Sequence, residues 1–358
     1  MVGVLRFMTP RFLPTASLET LKLRSHLVAS LRVFFRANDY WECETPVMSR
    51  EVIIDANLDP FVTHDITGDP YFLQTSPEAG MKRLLSAGAD SIFQISRAMR
   101  RGESGQLHNP EFTMIEWYRV GDDHHAQMDF VEQLVRAFYA EAARRLSDGQ
   151  ALNSVRKLSA ESFERLTYDE AFERFAGTKV LRLSSTDLRQ LAADHEVAAP
   201  LTLHPDDRDG WLNLLLAELV EPNLGRDSPQ FIYDYPASQA ALARISQHSV
   251  SSEYSSDLAG GSLDVAERFE LYDRGVELCN GYHELTDAEE FRIRTDTERE
   301  TSDSDSHQKL PGAPLLAEAM QHGSPDCAGV ALGLDRLVML ALGKAEIADV
   351  IAFPSDRA

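Results

Sequence analysis

The chain has 358 residues, 43% of them hydrophobic, with 57 acidic against 35 basic side chains and a formal charge of -22. That length accommodates one large or two ordinary domains around a substantial core, while the acidic excess disfavours an extended nucleic-acid surface, whose affinity rests on Lys and Arg against phosphate. Three scattered cysteines, Cys43, Cys279 and Cys327, form no CxxC pair, which argues against a disulfide framework and against structural zinc and fits a reducing cytoplasm.

The first residues, MVGVLRFMTPRFLPTASLETLKLR, lack a sustained apolar core with a cleavage site, so no signal peptide is expected. Apolar residues at Leu18, Leu21, Leu27, Leu31, Phe34 and Phe35 predict an amphipathic helix over 17–38, with a weak cap at Ser17. WECETPVM follows as an extended segment closed by Pro46. A long helix feeding such a strand is compatible with a dimer interface and equally with plain core. YFLQT reads as a strand running into Ser76-Pro77-Glu78, a helix start with Pro and Glu in the first turn. Glu78 suits an ammonium partner, or is an ordinary cap residue.

SIFQIS is the next strand. It leads to RAMRRGESGQLHNPEFTMIEWY, residues 97–118, where Arg97, Arg100 and Arg101 enter a loop and EFTMIEWY forms a strand bearing Glu111 and Glu116. Arginine forks suit phosphate and carboxylate oxygens, and strand carboxylates suit an amino group. Taken alone, the stretch reads equally as an arginine-rich surface turn. HAQMDFVEQLVRAFYAEAARRL predicts a helix, residues 145–230 a mainly helical insertion, and QHSVSSEYSSDLAGG (247–261) a mobile Ser/Gly-rich loop. RFELYDRGVEL alternates as two antiparallel strands turning at Asp273-Arg274-Gly275. Were the chain to bend again at Asn280-Gly281, Glu277 and Glu284 would converge on one Mg²⁺; otherwise they are solvated strand residues. A charged helix spans about 288–305. In GVALGLDRLVMLALG, Gly329, Ala331 and Gly333 alternate along a strand before Arg336 opens an apolar helix, flat enough for an adenine or simply for close packing. This longest apolar run, broken by Asp335 and Arg336, is too short to span a bilayer.

In this order the segments resemble the catalytic core of class II aminoacyl-tRNA synthetases of the lysine, aspartate and asparagine subgroup. WECETPVM resembles motif 1, FQISRAMRRGESGQLHNPEFTMIEWY motif 2 and GVALGLDRLVMLALG motif 3, while TSPE and ELCNGYHELTDA look lysyl-type. Motif 1 begins about forty residues from the start, leaving no room for an N-terminal anticodon-binding OB domain. The chain is therefore most similar to the stand-alone paralogue family of elongation factor P lysine lysyltransferases. The resemblance implies an α+β fold, an antiparallel sheet flanked by helices, in a single catalytic domain over 1–358 that is cytoplasmic and homodimeric. It also implies activation of (R)-β-lysine with ATP and Mg²⁺ and transfer to a lysine of elongation factor P, without tRNA or membrane.

By the same resemblance, Arg100 clamps the α-phosphate and the substrate carboxylate, and Arg336 holds the γ-phosphate. Glu277 and Glu284 bind Mg²⁺. Arg101, Gly102, Glu103, Asn109, Leu278 and Gly333 belong to the nucleotide site, and Ser76, Pro77, Glu78, Glu116, Tyr118 and Glu284 to the substrate pocket. Two departures stand out. The lysyl-type Arg-Asn-Glu-Gly is here Arg100-Arg101-Gly102-Glu103, which passes the adenine-side glutamate role to Glu103, and Ala331 replaces a glycine. The alternatives are a truncated lysyl-tRNA synthetase acting on tRNA and a catalytically inactive amino-acid-binding paralogue.

Overall fold

The computed structural model describes residues 10, 12–55, 58–146, 158, 161–248, 263–301 and 310–358. Helix α1 (Leu18–Ala37) starts where expected, Ser17 accepting the Thr20 N–H at 3.1 Å, and its Leu27, Leu31 and Phe35 face inward. Short β1 (Trp41–Glu42), β2 (Met48–Ser49), β3 (Val62–His64) and β4 (Pro70–Leu73) lead to α2 (Glu78–Ser86). The long strands β5 (Ser91–Met99) and β6 (Glu111–Val120) pair antiparallel across the arginine loop, Gln94 opposite Glu116. Arg97 is thus a strand residue, its exposed side chain 3.6 Å from Glu111.

Helix α3 (His124–Arg145), capped by Asp123, lies against the sheet with Phe130, Val131, Leu134 and Phe138 buried. The expected insertion contains α4 (Tyr168–Ala176), α5 (Ser185–Asp194) and α6 (Arg208–Leu215), and also β7 (Glu164–Thr167), paired parallel with β8 (Gln230–Pro236). Its apolar side chains form a cluster of their own around Tyr168, Phe172 and Leu212 that takes in Ile232 of β8 and, further along the chain, Ala266 and Tyr272. Strand β9 (Ile245–His248) occupies the start of the expected mobile loop; 249–262 lie outside the described residues.

The hairpin of β10 (Leu263–Asp273) and β11 (Val276–His283) turns at Arg274-Gly275, φ +57° and +76°, the left-handed pair that a two-residue hairpin needs. Helices α7 (Ala288–Thr301) and α8 (Pro314–Gly323) precede β12 (Cys327–Gly333) and α9 (Leu334–Ala341). The main sheet runs β1-β5-β6-β12-β11-β10-β8-β7, with β9 added on β10. It is antiparallel as expected except at its two ends, where β1–β5 and β7–β8 run parallel. Buried Asp335 ties the layers together: its Oδ1 meets Arg24 at 2.5 Å and its Oδ2 accepts the Thr113 N–H at 2.8 Å.

Candidate active site

A cleft of about 450 Å³ opens on the face of the sheet opposite α3, lined from β6, β10, β11, β12, α2 and the arginine loop. Strand alternation decides who faces it: Met114 and Glu116, Arg268 and Glu270, Gly329 and Ala331 all point the same way.

One end is acidic. Glu116 is almost completely buried and its Oε1 accepts the Tyr118 hydroxyl at 2.6 Å, while Oε2 has no hydrogen-bond partner. Glu78, in the first turn of α2, and Glu284, just past β11, both approach Lys82, each with an oxygen 2.6 Å from Nζ. Only the Glu78 contact has hydrogen-bond geometry; the Glu284 contact is an ion pair. Burial pushes the Glu116 carboxyl up to about 8, helped by the Glu78 charge. It pushes Glu284 up to about 7 against the pull of Lys82. Burial alone would lower the Lys82 ammonium, but the charges of Glu284 and Glu78 more than offset that and keep it protonated. Three carboxyl groups against one lysine make a well suited to ammonium groups, whose entry favours the ionised carboxylates.

The other end carries arginines. Arg100 lies over the Phe112 ring at 5.0 Å, donates to the Thr75 carbonyl at 3.3 Å and meets Glu103 at 3.4 Å. Arg336, in the first turn of α9, donates to the Glu277 carbonyl at 3.0 Å and meets its carboxylate at 3.3 Å. Its other terminal nitrogen lies 2.6 Å from His108 Nε2. Burial and then the Arg336 charge lower His108, so the neutral ring accepts. Two guanidiniums lining this end of the cleft suit a polyphosphate.

The expected bend at Asn280-Gly281 is absent, because β11 continues through both residues in register with β10 and β12. Seven extended residues separate Glu277 from Glu284 by about 23 Å, too far to share a cation. Glu284 belongs to the acidic well instead. Glu277 has a different neighbour: burial and then the Glu270 charge raise its carboxyl, an effect tempered by Arg336 and by a side chain 39% open to the cleft. An odd spacing of seven would also turn Glu277 away from the cleft in a regular strand. An irregularity opposite Leu271 and Tyr272 inserts Leu278 as an extra residue and brings Glu277 back to the cleft side.

Of the other expected residues, Ser76, Glu103, Asn109, Leu278 and Gly333 line the cleft. Asn109 is also a brace, donating to the Glu111 carbonyl at 2.6 Å and accepting the Ser355 N–H at 2.9 Å. Pro77 caps α2, while Arg101 and Gly102 sit on the exposed turn, Arg101 N–H bonded to the Asp59 carbonyl at 2.7 Å. None of these three is part of the cleft lining. Lys82 and Glu270 were not foreseen. Lys82 follows Glu78 by four residues on one helix face, a readable signal, and Glu270 faces Asn280 across a hairpin whose turn was predicted.

The family model described as tRNA synthetases class II (D, K and N) matches residues 7–357. A protein of Yersinia enterocolitica named elongation factor P–(R)-β-lysine ligase is 41% identical over 98% of this chain and 99% of its own. Proteins of the same name from Vibrio cholerae (40%, covering 97% of this chain and 98% of theirs) and Pectobacterium carotovorum (41%, 98% and 99%) are similar over the same extent.

Proposed function

The chain belongs to the class II tRNA synthetases of the D, K and N group, and on that premise we propose that it activates (R)-β-lysine with ATP and transfers it to a lysine side chain of elongation factor P. The names of its near full-length relatives support that reading. The observation that carries it within the molecule is the makeup of the well: Glu78, Glu116 and Glu284 outnumber Lys82 by two, so that once entering ammonium groups draw the protons off Glu116 and Glu284 the carboxylates balance a substrate with two such groups.

ATP would lie between Arg100 and Arg336, its adenine against the small-residue face of β12 and Leu278, with Glu103 nearby. Mg²⁺, when bound, neutralises phosphate charge, and the hard carboxylate of Glu277, 39% open to the cleft, would hold it, whereas Glu270 is already taken up by Arg268, Asn280, Tyr235 and Tyr272. Arg100 would align the substrate carboxylate with the α-phosphate and offset charge building there, so no side-chain nucleophile is needed. That carboxylate attacks the α-phosphorus, pyrophosphate leaves, and the acceptor amine then displaces AMP from the adenylate. We read the chain as one catalytic unit with a helical insertion. It would act as a homodimer, which exposed Val33, Trp41, Val47 and Met48 around α1 and β1 support.

Intact-mass spectrometry of elongation factor P after incubation with enzyme, Mg²⁺-ATP and (R)-β-lysine tests the proposal. A lysyl adduct on one acceptor lysine is expected. Preference for α-lysine with charging of tRNA would replace the proposal by a tRNA synthetase reading, and failure to form adenylate with either isomer by a non-enzymatic one.

A further inference from the structure

The opposite face of the same sheet carries a second cluster, which the chemistry above does not use. His124, the first residue of α3, stands beside Glu267 of β10 and His283 of β11 with one ligand atom from each within 4.8 Å of the others. Alternation sets Glu267 and His283 facing away from the cleft to which Arg268 and Glu284 point. His283 Nδ1 lies 2.5 Å from Glu267 Oε2, and its Nε2 lies 2.9 Å from Asp326 Oδ1, which also meets Arg244 at 2.5 Å. His124 is only 6% exposed, yet neither of its ring nitrogens has a hydrogen-bond partner. Asp234 Oδ1 stands 3.9 Å from Nε2, beyond hydrogen-bond range. A buried imidazole with both nitrogens unmet requires an explanation, because each unpaired polar atom costs stability.

We infer that His124, Glu267 and His283 form a binding site for one divalent transition-metal ion of the zinc class. Two imidazoles and a carboxylate select zinc, cobalt or nickel over magnesium or calcium, which prefer all-oxygen shells. The cysteine pattern argued against zinc, but the donors here are imidazoles and not thiolates. When the ion binds, the proton shared between His283 Nδ1 and Glu267 leaves to solvent and both atoms become ligands. His283 Nε2–H then donates to Asp326, the carboxylate–histidine–metal arrangement that fixes a ligand's tautomer, and Arg244 balances the Asp326 charge. Three protein ligands leave the fourth tetrahedral position for water. The ion would pin the start of α3 to β10 and β11. Because His283 directly precedes Glu284, it would also steady the strand end that carries one wall of the acidic well.

The test uses full-length protein stripped with chelator, titrated calorimetrically with ZnCl₂ in the presence of saturating MgCl₂, and with CoCl₂ followed by visible absorption. One ion per chain, proton release and a tetrahedral cobalt spectrum are expected. His124→Leu and Glu267→Gln should each weaken zinc binding at least tenfold, while Glu277→Gln, in the cleft, should leave it intact. Circular dichroism checks the fold of each variant, and if His124→Leu does not fold, Glu267→Gln decides. The inference is overturned if wild-type protein shows no saturable binding, if magnesium displaces the zinc, or if a folded His124 or Glu267 variant binds as tightly as wild type.

Discussion

Lys82 Nζ and Glu284 Oε2 are 2.6 Å apart, with the two side chains only 9% and 3% exposed. A lysine thus stands among the carboxylates proposed to bind a diamine. Without it, Glu78 and Glu284 would lose their partner while Glu116 remained close, and buried like charges repel strongly. Lys82→Met should therefore destabilise the fold by about 3–5 kcal/mol, the usual cost of removing one partner of a buried pair. Urea unfolding measures this. A midpoint equal to wild type would show that Lys82 is dispensable to the well.

The raised carboxyls make both stability and substrate affinity pH-dependent. Glu116 moves from 4.5 to about 8 and Glu284 from 4.5 to about 7 on folding. Between the ordinary and raised values the folded state holds protons that the unfolded chain has released, so for these groups stability is fully present at and below about pH 4.5 and falls as pH rises toward about 8. Ammonium groups entering the well favour the ionised carboxylates. Binding of the diamine should release protons, and its affinity should rise with pH to a plateau near 8. Calorimetry in buffers of different ionisation heat counts those protons, and a buffer-independent heat at pH 7 would contradict the shift. In Glu116→Gln most of the release should vanish.

Much of this was readable from residue order. The β5–β6 pair, the β10–β11 hairpin and the small-residue strand before Arg336 follow from period-two alternation bracketed by turn residues, and each lies where the pattern put it. The Mg²⁺ pair was misread because Asn-Gly is a strong turn signal. In β11 that signal is overridden by pairing on both sides, and Gly281 answers a packing need: a Cβ there would come 2.3 Å from the Phe269 ring. Local propensity cannot announce a glycine required by a neighbouring strand. Nor could it place His124 beside His283, which lie 159 positions apart in the chain and meet only through the fold.

The cleft has two groups of carboxylates, so two substitutions should divide the kinetics. Glu277→Gln should weaken the dependence on Mg²⁺-ATP, lowering pyrophosphate exchange by about 10²–10³-fold, the typical loss for one charge-stabilising group. Glu284→Gln should instead raise KM for the amino acid and leave the Mg²⁺ requirement near wild type. Mg²⁺ titrations of the exchange rate separate these outcomes. A large shift in Mg²⁺ requirement on Glu284→Gln would restore the pairing of Glu277 with Glu284 that the straight strand excludes.

Two small residues on β12 should respond in opposite ways. A Cβ at Gly329 would lie 2.2 Å from Tyr118 Cε1 and 2.6 Å from Glu284 Oε1. The Tyr118 ring cannot yield cheaply, being buried and bonded to Glu116 at 2.6 Å. Gly329→Ala should therefore push both groups out of line and cost on the order of 10²-fold in adenylate formation, as misplacement of this size does, while ATP binding alone persists. Ala331 sits between Glu116 of β6 and Asn280 of β11, where its methyl group shapes the wall of the well. Removing it in Ala331→Gly deepens the pocket and should change the ratio of β-lysine to α-lysine kcat/KM by about 10–200-fold, the range available to one carbon. Pyrophosphate exchange with each isomer reads both effects. An unchanged isomer ratio in Ala331→Gly would place the substrate's amino groups away from β12.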